Sequence, residues 1–147
     1  MAPRDERPEA TELEVTEPEA FAQLAGQYNI LYIDRMPDPR PVDFRGSSLD
    51  DLRAFPLAAR REAGHQLDQV QHGQEPDDWK PMNTVGQGVK EIRIRDAAGA
   101  FRIMYVAKLT DAVHVLHCFQ KKTAKTRKAD LDLATMRYRD LRKELGP

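Results

Sequence analysis

Apolar positions recur at helical spacing in two parts of the chain and at strand spacing in the part between them. Leu49, Leu52 and Phe55 share one face of a helix beginning near Ser48, and Ala59, Ala63, Leu67 and Val70 continue that stripe beyond Pro56 as far as Gly73. Proline lacks the amide hydrogen a helix ladder needs, so the pattern predicts two consecutive helices or one kinked helix. Ser48 is the expected N-cap, with Asp51 placed to reach back to the backbone and to favour the positive end of the helix dipole. Leu131, Ala134, Tyr138, Leu141 and Leu145 form a second stripe, which predicts a last helix from about Lys128 to Leu145.

Three runs between these helices alternate with period two: roughly Val89 to Arg95, Phe101 to Lys108 and Ala112 to Gln120. The turn signals Asp96-Ala97-Ala98-Gly99 and Thr110-Asp111 separate them, which predicts an antiparallel meander. In the first run Ile92 and Ile94 alternate with Glu91, Arg93 and Arg95, so an apolar face points inward and a charged face outward. A short strand at Val42 to Arg45 precedes the helices. The fold class is α+β: strand, two helices, three-strand meander, C-terminal helix.

Pro37, Pro39 and Pro41 force an extended linker and mark a boundary. Residues 1–40 read as an acidic extension with that linker, disordered from Met1 to Pro18, where almost no large apolar residue offsets the entropy of ordering. Glu19 to Leu24 reads as a helical turn or two, and Tyr28 to Ile33 has strand composition. Residues 41–147 read as one domain. Charge divides at the same point: residues 1–40 carry four basic and nine acidic side chains, the remainder 19 basic and 15 acidic. The overall charge of −1 hides a mildly basic domain behind an acidic leader. No apolar run approaches the roughly 18 residues that cross a bilayer, the N-terminus lacks a signal-peptide pattern, and Cys118 is the only cysteine. These features read as a cytoplasmic protein without a disulfide, membrane segment or paired-cysteine metal site.

The densest chemical signal runs from Phe119 to Lys128, where Lys121, Lys122, Lys125, Arg127 and Lys128 stand without an acidic residue. Cations at a helix start oppose the helix dipole, so the arrangement suits a bound anion such as phosphate; the bland alternative is a solvated basic surface. Arg93 and Arg95 face Arg102 across a hairpin, where planar guanidinium forks can clamp one phosphate or merely form cross-strand pairs. His114 and His117 are three apart, so a regular strand turns them to opposite faces; His117, beside the lysine run, is the candidate proton carrier. His65 and His72 lack matching ligands, so no metal is expected. Cys118 reads as a small buried hydrophobe and Trp79 as a cover for the core edge. The glycines of Gly86-Gln87-Gly88 read as a sharp turn into the sheet, since their spacing is not that of a phosphate-binding loop.

Four blocks in order carry a family resemblance: Phe44 to Leu52, Asp78 to Met82, Gly88 to Arg93, and Val115 to Thr123. The chain resembles the phage-derived HigB-like branch of the RelE/ParE toxin superfamily from about Val42 to Leu145. The resemblance implies a RelE-like small antiparallel sheet covered by helices and a toxin of a type II toxin–antitoxin pair. It further implies a metal-independent, cofactor-free endoribonuclease that cuts messenger RNA in the ribosomal A site, the RNA 2′-hydroxyl attacking the scissile phosphate. By position Arg102 takes the place of the phosphate-binding arginine, in the spacing that ends at Tyr105. Arg93 stands for a basic residue of the preceding strand and Lys122 for the cation ending the last strand. Arg93, Arg102, His117, Lys121 and Lys122 are thus the catalytic candidates, and Lys80, Arg95, Lys125, Arg127 and Lys128 the RNA-binding ones. The C-terminal tyrosine motif of the best-known RelE type is missing. The general base is open between His117 and Glu91, or lysines suffice when the ribosome orients the RNA.

Implied partners are a cognate antitoxin with a helix-turn-helix region, the ribosome and messenger RNA. The leader has no counterpart in the family, whose members would begin near Met36. Two alternatives remain: a ParE-like gyrase inhibitor, and a non-enzymatic RNA-binding regulator that uses the basic patch for positioning alone.

Overall fold

A computed structural model describes residues 38–147. The expectations for Met1 to Pro18, Glu19 to Leu24, Tyr28 to Ile33 and Met36 lie outside the described residues. Strand β1 (Val42–Phe44) leads through Gly46 to helices α1 (Ser48–Arg53) and α2 (Leu57–Gln71). Strands β2 (Trp79–Pro81), β3 (Val89–Asp96), β4 (Gly99–Val106) and β5 (Val113–Lys121) follow, and then helix α3 (Lys128–Leu145). The α+β expectation is borne out, and the meander is antiparallel as predicted. One strand was not foreseen: β2 adds to the outer edge of β3, giving, among the described residues, a five-stranded sheet in the order β1-β5-β4-β3-β2, with β1 parallel to β5.

Each element follows from local chemistry. Pro56 ends α1 and serves as the N-cap residue of α2, so the apolar stripe belongs to two helices. Gly73, at φ +81°, closes α2: its N–H donates to the Val70 carbonyl, and the Gln74 N–H donates to that of Gln69. Helix α1 is capped at Ser47, one residue before the expected Ser48. The Ser48 side chain is fully buried and donates to the Val115 carbonyl of β5, while the Ser47 hydroxyl donates to Asp51. In the β3–β4 hairpin the Ala98 N–H donates to the Asp96 carboxylate at 2.7 Å, and Gly99 takes φ +135°.

Side-chain alternation splits the core into two layers. Ile92, Ile94, Phe101, Ile103, Tyr105, Val113, Val115 and Cys118 bury against α1 and α2 on one face. Val89, Met104, Val106, Leu116 and Phe119 bury against α3 on the other, with Ala134 and Leu141 at the helix contact. Among the described residues no helix is long and apolar enough to cross a membrane.

Gly86 proves to be a docking surface as well as part of a turn. A Cβ there would lie 2.4 Å from the Tyr138 ring, and the Tyr138 hydroxyl donates to the Gln87 carbonyl at 2.9 Å. Tyr138→Phe should therefore lower unfolding free energy by about 0.5–1.5 kcal/mol, whereas Gly86→Ala should cost more because α3 must shift. Denaturant titration of both variants checks the order.

Candidate nucleic-acid interface

Strand registers decide which charges meet. Lys80 stands opposite Glu91, which stands opposite Met104, itself opposite His117. In the next row Arg93 pairs with Arg102 and Arg102 with Phe119; beyond it Arg95 pairs with Ala100 and Ala100 with Lys121. All these side chains share the sheet face on which α3 packs, because their neighbours Ile92, Ile94, Phe101, Ile103 and Cys118 occupy the opposite one. Helix α3 covers the half of this face around Met104, Val106 and Leu116. At the other half Arg93 and Arg95 are exposed and Lys121 is half-buried.

Arg102 lies at the centre, 4% exposed. Its Nε is 3.6 Å from Glu91 Oε1, and one terminal nitrogen donates to the Phe101 carbonyl at 3.1 Å. Burial lowers its affinity for a proton and the charges of Arg93 and Arg95 act in the same direction, with Glu91 opposing. A carboxylate sits beneath this cationic layer. Glu91 is 1% exposed, and burial raises its pKa above the ordinary glutamate value against the pull of Arg102, Lys80, Lys121 and Arg93. Its Oε2 is buried without a hydrogen-bond partner among the described residues. Slight burial and the neighbouring Arg102 likewise lower the pKa of Lys121. Asp78 lies at the rim, 4.0 Å from Arg93 Nε. Crowded cations around one buried acid form a site short of negative charge, which is the condition under which a phosphate binds well.

His117 joins this face through a bulge in β5. Met104 pairs with His117 and Tyr105 with Val115, so Leu116 is the extra residue. The expectation that His114 and His117 point to opposite faces is corrected here, because it assumed a regular strand. His114 donates from Nδ1 to Asp43 at 2.7 Å, and its Nε2 lies at hydrogen-bond distance, also 2.7 Å, from the Thr110 hydroxyl. Burial would raise the Asp43 pKa, but hydrogen bonds from His114 and Arg45 outweigh it and hold that carboxyl below its usual value. His117 lies further along and donates from Nε2 to Asp130 of α3 at 2.8 Å. Its ring stacks on Phe119 at 4.9 Å, and its Nδ1 is buried and unpartnered among the described residues.

The candidates from the basic run separate. Lys121 closes β5 and acts on Glu91, whereas Lys122 follows the strand end and is exposed. Lys125 lies exposed in the connection to α3. Arg127 is the N-cap residue of α3 without a side-chain cap bond and reaches Asp130 at 3.6 Å; Lys128 pairs with Asp132 at 2.7 Å. Asp130 thus supplies the anion of the first turn, a role the acid-free run had left to a ligand. Lys121→Ala should weaken RNA binding by about tenfold or more, the worth of a charge-assisted contact, and Lys122→Ala by less than about threefold. Salt-dependent RNA titration measures both.

The burial of Glu91 and the role of Asp130 were not legible beforehand. Glu91 alternates with exposed arginines and reads as another surface charge, and no sequence pattern ties Asp130 to His117. Among the described residues no group of three or more His, Cys, Asp or Glu is placed to hold a metal ion.

The model of a family described as Phage derived protein Gp49-like (DUF891) matches residues 50–139, a span that contains strands β2 to β5. No curated protein matches the chain.

Proposed function

The chain belongs to the phage-derived Gp49-like family, a toxin-like family of the RelE/HigB type, and from that premise we propose that it is the toxin of a toxin–antitoxin pair, a ribosome-dependent messenger RNA endonuclease of the cytoplasm. The observation that carries this reading is the row Arg93–Arg102–Phe119, flanked by Lys80, Arg95 and Lys121, with buried Glu91 beneath it.

Arg102 and Arg93 hold the non-bridging oxygens of the scissile phosphate and neutralise the charge that grows in the transition state. Glu91, its basicity raised by burial, takes the 2′-hydroxyl proton as that oxygen attacks phosphorus. The P–O5′ bond breaks, and His117 protonates the leaving O5′ from Nδ1 while Asp130 stabilises the imidazolium through Nε2. The products are a 2′,3′-cyclic phosphate and a 5′-hydroxyl. Of the two base candidates, Glu91 is preferred because burial raises its basicity, whereas Nε2 of His117 is already committed to Asp130. The ribosome supplies in-line orientation of the RNA. An antitoxin with a helix-turn-helix region keeps the activity in check.

Brief induction with parallel labelling of protein and DNA tests the class. The reading expects amino-acid incorporation to stop first, with cleaved message. A halt in thymidine incorporation with intact message would instead identify a gyrase inhibitor. Salt-sensitive RNA binding without cleavage on ribosomes would identify a non-enzymatic regulator.

A further inference from the structure

The geometry points to Arg137 as the positioning residue that holds the Leu116 bulge and thereby decides which β5 side chains reach the cationic face. A bulge leaves one residue unpaired in the ladder, and its carbonyl needs another donor. Here Arg137 Nη1 donates to the Leu116 carbonyl at 3.0 Å and Nη2 donates to the Ser47 hydroxyl at 3.1 Å. Room for the guanidinium is built in: Gly46 has φ +56°, and a Cβ there would lie 2.6 Å from Arg137 Nε. Arg137 and Asp130 are two helical turns apart on the same side of α3, either side of the fully buried Ala134, which lets the helix approach closely. One turn of α3 therefore grips the bulge carbonyl and another grips the ring of the residue after it.

The consequence follows from strand parity. With the bulge, His117, Phe119 and Lys121 lie beside Arg102, while Cys118 faces the α1–α2 core. Without it, a one-residue slip turns Cys118 and Gln120 to the cationic side and takes His117 and Lys121 away. The functional half of this inference rests on the nuclease reading; the structural half does not.

Cys118, the only cysteine, reports the parity directly. It is buried, and its thiol is pushed up to about 12 by that burial, so the wild-type protein should react slowly with an aromatic disulfide reagent. Arg137→Met should accelerate labelling by about tenfold or more, the worth of one charged hydrogen bond, at a rate insensitive to low denaturant. Arg137→Lys, which keeps one donor, should fall between. Labelling at the wild-type rate, or only in proportion to global unfolding, would overturn the inference. If Arg137→Met does not fold, Arg137→Lys decides alone: a rate above wild type supports the pin, and an equal rate removes it. On ribosomes the same variants should lose turnover while RNA affinity falls no further than in Lys121→Ala, since Arg93 and Arg102 remain in place. Accelerated labelling with unchanged turnover would overturn the functional half. A wild-type protein that cleaves nothing would sink the nuclease reading and leave the labelling result standing.

Discussion

Arg102→Ala should reduce message cleavage by about 10²–10³-fold, the usual loss when a preorganised transition-state donor is removed. Arg102 is buried at the centre of the face, bonded only to its neighbour's carbonyl and ion-paired to Glu91 at 3.6 Å, so its remaining donors are uncommitted among the described residues. Alanine at this position also strands Glu91, and breaking a buried pair from one side costs about 3–5 kcal/mol in the worst case. Part of that cost is relieved when Glu91 takes up a proton. The double variant Arg102→Ala with Glu91→Gln removes the stranded charge. It should regain stability in thermal unfolding and remain inactive, which separates the loss of chemistry from loss of fold.

Glu91→Gln should lower cleavage by about 10²–10⁴-fold and abolish the acid limb of its pH profile, because the proposed general base is gone. Its effect on stability has the opposite character. The folded-state pKa of Glu91 is raised, chiefly by burial, so the native protein binds this proton more tightly than the unfolded chain does. The associated stability is fully present below the ordinary glutamate pKa and is lost as pH rises through the raised folded value. Glutamine mimics the protonated acid, so the variant should lack that decline and be at least as stable as wild type at neutral pH. Unfolding midpoints across this pH range check the slope. An inactive yet undiminished fold would mark Glu91 as a residue kept for function at a cost in stability.

How far the sequence alone reached depends on how regular each element is. Helix α3 spans Lys128–Leu145, as its stripe from Leu131 to Leu145 indicated, since three- and four-residue spacing over about four turns leaves little freedom. Strands β3 to β5 were legible from their alternation and turns. The three residues of β2 are too few to show a period, and they include Pro81 and Lys80, neither a strand former. The displaced cap has a packing cause: Ser48 is drawn into the interior to bond Val115, leaving the cap position to Ser47.

Within the site, the arginines followed from parity, because Arg93, Arg95 and Arg102 precede the irregularity. Everything on β5 beyond Leu116 depended on a bulge that sequence alternation does not encode. For that reason His117 was turned to the wrong face relative to His114. The end of β5 also fell one residue short of the expected cation: Lys121 is on the strand, and Lys122 lies past it. Long-range pins such as Asp130 on His117 and Arg137 on Leu116 appear only once α3 is folded across the sheet.

Cations from neighbouring strands, with Glu91 buried among them, are proposed to cut a phosphodiester. Mapping the 5′ ends of a message translated by purified ribosomes, with added wild-type protein or Arg102→Ala, tests it most directly. Discrete new 5′-hydroxyl ends within the translated frame are expected for wild type, absent without ribosomes and almost absent with Arg102→Ala. An intact message with wild type, or equal cleavage by both proteins, would contradict it.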